Sequence, residues 1–381
     1  MKEILKNNER IFKIYVFLST FARNLVEVFI PIILYKNGFA FKDVILYYLL
    51  ANLFSILWDY PCVLLSKKYN NKVLAFIGMV SFFALQYILN FVQINMCYLV
   101  IVSLLYSLYR QAYWMSRRFY NLKILRGGEI SKKYSVISII NQLGVVISAY
   151  LGSLVLDYVS VAALTIISVC IFLLSIVILF FLKFDHEKNS DKLHLLSTLK
   201  SVPKADLIHF GLYELLTVVK FLFALYIFIY IKDNYQTIGI INVVTNISIM
   251  LFAYFYGKFI DKKKNLLKLS ILLVVLTFLF KANVTNYLII IISFIEGITT
   301  KMYEISLNSC LYNLSKKYEY YNYNLMYEVV LNTFRTALIF ILFIFNFDLR
   351  TMIYISLLIV ILGVFINFKD ADIEKYKIDD K

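Results

Sequence analysis

The chain alternates long apolar runs with short polar intervals, and the runs number twelve. They span residues 12–35, 42–66, 72–92, 95–117, 134–156, 161–183, 207–231, 237–260, 266–283, 286–311, 322–346 and 350–368. About twenty residues of helix, rising 1.5 Å each, cross a hydrocarbon core of ~30 Å. A backbone in hydrocarbon must satisfy its own hydrogen bonds, so each run predicts a helix. Turn formers stand between several runs: Asn37-Gly38, Gly127-Gly128, Asn283 with Asn286, and Asn346 with Asp348. The pattern predicts an all-α, polytopic membrane protein with about twelve transmembrane helices. No small-residue cleavage site follows the first run, which therefore reads as a retained helix and not a signal peptide.

Composition agrees with this class. Of 381 residues, 61% are hydrophobic and only 17% charged, with a mean hydropathy of +0.76. A soluble domain of this length would spread charge over its surface, whereas here charge collects in the intervals. The net charge of +15 could suggest nucleic acid, but its distribution points to a lipid bilayer instead. Alternate intervals hold 29 of the 39 Lys and Arg: the N-terminus, 67–72, 117–133, the central connection with the adjoining Lys183, 258–268, Lys316-Lys317 and the C-terminal tail. The opposite intervals hold only Lys36, Lys42, Lys232, Lys281 and Arg350. Basic loops stay cytoplasmic, so the expectation is a multi-pass plasma-membrane protein with both termini inside.

Other chemistry is sparse. Cys62, Cys97, Cys170 and Cys310 form no C-x-x-C pair, and His186, His194 and His209 lie far from them. Neither a disulfide framework nor a metal site is expected, and no cofactor. The phosphate-binding motif G-x-x-x-x-G-K-[ST] is absent, which excludes ATP-driven pumping by this chain alone.

The longest connection, 184–206, is polar and divides the runs into six and six. The expected units are an N-terminal bundle over 1–183, a cytoplasmic connecting loop over 184–206, and a C-terminal bundle over 207–381 with a short cytoplasmic tail. A shift of 191 residues superposes Leu25 on Leu216, Val28 on Val219, Leu34 on Leu225 and Tyr35 on Tyr226. It also pairs Arg23 with Glu214, Arg110 with Lys301 and Asn141 with Asn332. Polar residues inside apolar helices are rare, so three such pairs at one offset argue for an internal repeat.

Two parallel six-helix halves joined by a cytoplasmic loop resemble the major facilitator superfamily over nearly the whole chain. The most specific local match is Gly257-Lys258-Phe259-Ile260-Asp261-Lys262, similar to the superfamily's G-x-x-x-D-[RK] loop. A degraded copy, Ser66-Lys67-Lys68-Tyr69-Asn70-Asn71-Lys72, carries Lys67 where the Asp is usual and Asn70 where the turn Gly is usual. The resemblance implies that Gly257, Asp261 and Lys262 couple to the inward–outward switch. It also implies that the first and fourth helices of each half border the transport path. A secondary active transporter of a small-molecule substrate, monomeric and working by alternating access, is the expectation that follows.

Eleven charged residues lie well inside the apolar runs, away from their ends: Arg23, Glu27, Asp59, Arg110, Glu214, Lys220, Glu296, Lys301, Glu304, Glu328 and Arg335. Each costs roughly 2.5–3.5 kcal/mol near a helix centre unless it faces a partner or water. They are therefore expected to line a central cavity, together with Asn141 and Asn332. Arg23 and Glu27 are four apart; Glu328, Asn332 and Arg335 share one face, as do Glu296, Thr300 and Glu304, with Lys301 three residues before Glu304. Plainer readings stand beside these. Arg23–Glu27 could be a neutralising intrahelical pair, Glu328 and Arg335 could be partners of the tenth helix, and Asp59 could serve the backbone hydrogen bond broken at Pro61. Most aromatics fill helix interfaces, with Tyr113 and Trp114 the candidates for stacking on a solute.

Glu27 lies between Val26, Val28 and Phe29, where desolvation makes its charge costly. Proton uptake from one side and release to the other would then drive exchange, with protons as the candidate coupling partner. Glu27 resembles the first-helix acid of proton-coupled drug antiporters, and Arg110 resembles their fourth-helix arginine. The fifth helix lacks those antiporters' G-x-x-x-G-P-x-x-G-G pattern, so drug export is not favoured. The competing readings are an integral-membrane transferase and a non-transporting receptor or accessory protein.

Overall fold

The computed structural model describes residues 2–69, 71–91, 95–125, 130–183, 193–231, 234–256, 266–284, 287–315 and 320–367. Its helices are α1 (Lys2–Glu27), α2 (Ile30–Lys36), α3 (Phe41–Lys68), α4 (Asn71–Phe91), α5 (Met96–Leu125), α6 (Ile130–Tyr158), α7 (Val161–Phe180), α8 (Leu195–Ser201), α9 (Lys204–Tyr226), α10 (Tyr235–Tyr256), α11 (Leu267–Ala282), α12 (Leu288–Ser315), α13 (Tyr320–Phe345) and α14 (Leu349–Ile361). A π-helical turn, Ile227–Ile231, extends α9, and a 3-10 turn, Leu362–Phe365, extends α14. With α1 and α2 taken as one rod and the short α8 set aside, the helices follow the twelve apolar runs in order. Among the described residues, eight segments are long and apolar enough to cross a membrane.

The rod formed by α1 and α2 is broken, a feature the hydropathy pattern did not show. Pro31 has no N–H to donate and its ring crowds the preceding turn, so α1 stops at Glu27 and α2 restarts at Ile30. Glu27 consequently stands at a helix terminus within the membrane-spanning rod. Two predicted turn formers do adopt left-handed backbone: Gly38 at φ +96° and Asn346 at φ +49°.

Helix pairing in the first half recurs in the second. In the first, α1 packs on α6 and α7, α5 on α3 and α4, and α4 on α7. In the second, α9 packs on α13 and α14, α12 on α10 and α11, and α11 on α14. Each half also closes its first helix on the end of its sixth: Asn8 Nδ2 donates to the Lys183 carbonyl at 2.7 Å, and His209 Nε2 lies 3.1 Å from the Ile366 carbonyl oxygen. The halves meet through α3 against α13 and α6 against α10. These two pairs exchange under a twofold rotation, as a parallel repeat requires.

Contacts between the halves occur at both ends of the bundle. At the end far from the termini, Asp157 of α6 accepts the backbone N–H groups of Tyr235 and Gln236 at 3.2 and 2.9 Å, satisfying free donors at the start of α10. There the Tyr48 ring of α3 packs, tilted by 36°, against Phe221 of α9 with centroids 3.6 Å apart. Gly239 of α10 makes the tight crossing on α6 possible, since a Cβ there would sit 2.4 Å from Ser153 Oγ and 3.0 Å from the Ala149 carbonyl oxygen. At the end bearing the termini, Arg118 of α5 forms an ion pair with Glu328 of α13 at 2.6 Å. Beside it Cys62, Val63, Ala112 and Met115 pack against Tyr321 and Leu325.

The loop residues Gly257, Asp261 and Lys262 lie outside the described residues, as does Asn70 of the degraded copy. What is described of that copy is a tether between helices: Ser66 Oγ donates to Asn71 Oδ1 at 2.7 Å.

Candidate translocation site

A cavity of about 340 Å³ lies between the halves. The broken first rod contributes Arg23, Asn24, Glu27, Val28 and Pro31; α3 contributes Tyr48 and Asn52; α5 contributes Tyr106 and Arg110. From the second half come Thr217, Val218, Lys220, Phe221 and Ala224 of α9, Asn242 of α10, and Arg335 and Ile339 of α13. Five of the eleven ionisable residues singled out in the sequence therefore line one space: Arg23, Glu27, Arg110, Lys220 and Arg335.

Their partners differ. Arg23 Nη1 pairs with Glu27 at 3.0 Å, so the intrahelical pair forms. The other Glu27 oxygen accepts from the Tyr106 hydroxyl at 2.8 Å. Arg335 pairs with Glu214 of α9, which stands behind it and outside the cavity lining. Among the described residues Arg110 donates only to neutral oxygens: Asn52 Oδ1 at 2.9 Å, Ser55 Oγ at 2.6 Å and Asn332 Oδ1 at 3.2 Å. Lys220 is exposed to the cavity and, among the described residues, meets no carboxylate within ion-pair distance.

Asn332, fully buried, joins the halves. Its Nδ2 donates to both oxygens of Asp59, and its Oδ1 accepts from Arg110 and from Arg335 Nη1 at 3.2 Å. Asp59 was expected to serve the local backbone near Pro61; its partner is instead a side chain of the other half. Glu328 and Arg335 are likewise not partners of the tenth helix, α12. They pair with Arg118 on α5 and Glu214 on α9 because their face of α13 is turned toward the first half and the cavity.

The remaining candidates do not line this cavity. Glu296 pairs with Lys281 inside the second half, both buried. Lys281 was counted with a polar interval, but it closes the last turn of α11, where it compensates that carboxylate. Lys301 pairs with Glu304 at 2.8 Å and donates to Ser138 Oγ of α6 at 3.0 Å. Across the repeat, Arg110 of α5 reaches α13 and Lys301 of α12 reaches α6, so these paired cations make equivalent crossings. Tyr113 is buried, 3.2 Å from Ser19 Oγ and accepting from Arg117 Nη1 at 2.9 Å. The guanidinium carbons of Arg23 and Arg117 lie 4.8 and 5.1 Å from the ring centroid of Trp114. Asn141 accepts from Thr20 and from Arg117 Nη2, each at 2.7 Å.

Arg117 was missed because it fell at the margin of a run and was counted with the basic interval. Its spacing of four from Tyr113 was the available signal, since it places both on one face of α5.

A twelve-rod, twofold-repeated bundle with charged groups gathered at the junction of its halves defines a membrane transporter for small solutes. The profile of the Major Facilitator Superfamily matches residues 14–231, more than half the chain, and the chain belongs to that superfamily. Among solved structures it is similar to the crystal structure of a mutant of nucleoside transporter NupG. The TM-score is 0.70 at 14% identity, covering 94% of this chain and 98% of that one, which is a likeness of fold. No curated protein matches the sequence.

Proposed function

We propose that the chain is a secondary active transporter that carries a small solute through this cavity by alternating access. In this reading the bundles 1–183 and 207–381 rock against each other about the 184–206 connection. The end bearing the termini faces the cytoplasm, since it holds 29 of the 39 Lys and Arg. The chain sits in the plasma membrane and acts as a monomer. The observation that carries the reading is the cavity itself: both halves line it, and ties between the halves lie toward either end. Arg118–Glu328 lies toward the termini; Asp157 with the start of α10 and Tyr48 with Phe221 lie toward the far end. Alternating access requires each set to open while the other holds.

Proton coupling on Glu27 belongs to the same proposal. Glu27 is the sole carboxylate among the lining residues, paired with Arg23 and hydrogen-bonded by Tyr106. Protonation would dissolve that pair and present Arg23 to the solute. Membership of a transporter family favours transport over the transferase and receptor readings. The test is flux into proteoliposomes with a mixed panel of organic anions, zwitterions, cations and nucleosides, the last included because of the structural likeness to NupG. Saturable uptake and counterflow of at least one solute is expected; protein-free rates for every solute in both directions would remove the transport reading.

A further inference from the structure

The charge inventory around the cavity narrows the solute. Four cations line it: Arg23, Arg110, Lys220 and Arg335. Three carboxylates face them. Glu27 pairs with Arg23, Glu214 pairs with Arg335 from behind, and Asp59 offsets Arg110 through the amide of Asn332. Glu328 is taken by Arg118. Of these four lining cations, Lys220 alone has no carboxylate assigned to it among the described residues. Lys220 is exposed to the cavity, so its ammonium is available to an anion that enters there.

Resting on the transporter reading above, we infer that the transported solute is an organic monoanion whose carboxylate is held between Lys220 of one bundle and Arg110 of the other. Arg110 completes the site because the oxygens it meets among the described residues are neutral and Asp59 reaches it only through Asn332, so it can still take a direct contact from an anion. With Glu27 ionised and paired to Arg23, a phosphomonoester, at about −1.5 to −2 at neutral pH, carries more charge than the one remaining cation balances. The rest of the lining fits an apolar body: Tyr48, Tyr106 and Phe221 offer ring faces, and Val28, Val218 and Ile339 offer aliphatic surface. At about 340 Å³ the space is at the small end of ligand pockets. Because its two cations belong to different halves, a bound carboxylate would draw the bundles together. A nucleoside, uncharged at neutral pH, leaves Lys220 unanswered.

The inference is tested by melting the purified, full-length protein in detergent with benzoate and longer aromatic monocarboxylates. Phenyl phosphate, benzyltrimethylammonium and uridine are the contrasting arms, and counterflow of a radiolabelled carboxylate in proteoliposomes follows. The monocarboxylates should raise the melting temperature in a concentration-dependent way. Lys220→Gln should weaken that binding at least tenfold, and Lys220→Arg should keep most of it, which separates lost charge from lost folding. Three outcomes overturn the inference: no shift with any monocarboxylate, an equal shift in Lys220→Gln, or selective stabilisation by uridine or the cation. Carboxylate binding without counterflow would instead strike the transporter reading and leave the site standing. Flux of a neutral or cationic solute alone would do the reverse.

Discussion

Asn332 donates its side-chain amide to both oxygens of Asp59, each at 3.1 Å, across the boundary between the two halves. Both residues are fully buried, so the amide supplies hydrogen bonds that water cannot. Asn332→Leu keeps the branched shape, though not the volume, and strands the carboxylate, which should cost about 3 kcal/mol and lower the melting temperature in detergent. Adding Asp59→Asn to that variant removes the buried charge and should recover part of the loss. A double variant that melts below Asn332→Leu alone would contradict this account.

The Arg118–Glu328 pair ties α5 to α13, with the Glu328 side chain only 5% exposed. Glu328→Gln and Arg118→Gln should each loosen the end bearing the termini and slow transport. The exchanged pair, Arg118→Glu with Glu328→Arg, should restore transport in part. A double-mutant cycle on melting should return a coupling of about 1–3 kcal/mol; additivity would mean the two charges act independently.

At Gly239 a Cβ would collide with Ser153 and the Ala149 carbonyl. Backbone is on one side of that collision, so α10 must move away from α6. Gly239→Val should therefore lower the melting temperature by several degrees and favour the state open at the far end. A cysteine placed at Phe221 should label faster from that side in the variant, and unchanged labelling would count against a tight crossing there.

Glu27→Gln keeps the hydrogen bond to Tyr106 in reach while removing the titrating group. Uptake driven by an imposed pH gradient should fall to the rate without a gradient, and counterflow should persist because exchange needs no net proton movement. Coupled uptake that survives the substitution would remove Glu27 as the proton site.

Asp348 caps α14 outside the apolar core. The Thr351 hydroxyl and the N–H groups of Arg350 and Thr351 donate to it, holding its carboxyl below the ordinary range. A depressed folded-state value means the cap stabilises above the unfolded value of about 3.9 and fades as pH falls through the folded one. Asp348→Ala should cost about 1 kcal/mol at neutral pH, and wild type and variant should converge in melting temperature as the pH falls below the folded-state value of Asp348.

Much of the architecture was legible without coordinates. Hydrocarbon admits only self-satisfied backbone, so apolar runs of bilayer length had to become helices, and polar residues inside them could be counted as they stood. Periodicity likewise made the Arg23–Glu27 and Lys301–Glu304 pairs readable, because groups three or four apart on a helix are neighbours whatever surrounds them. Partners across the bundle were not readable. Glu214 meets Arg335 across 121 positions and Asp59 meets Asn332 across 273. Such pairings depend on which faces of packed helices oppose each other, and hydropathy carries no record of rotation about a helix axis. Glu27 lines the cavity at the break before Pro31, and the facing of α13 carried Glu328 and Arg335 to the first half and the cavity. Tertiary packing alone decided which buried charges found counterions and left Lys220 facing the cavity with no carboxylate in reach among the described residues.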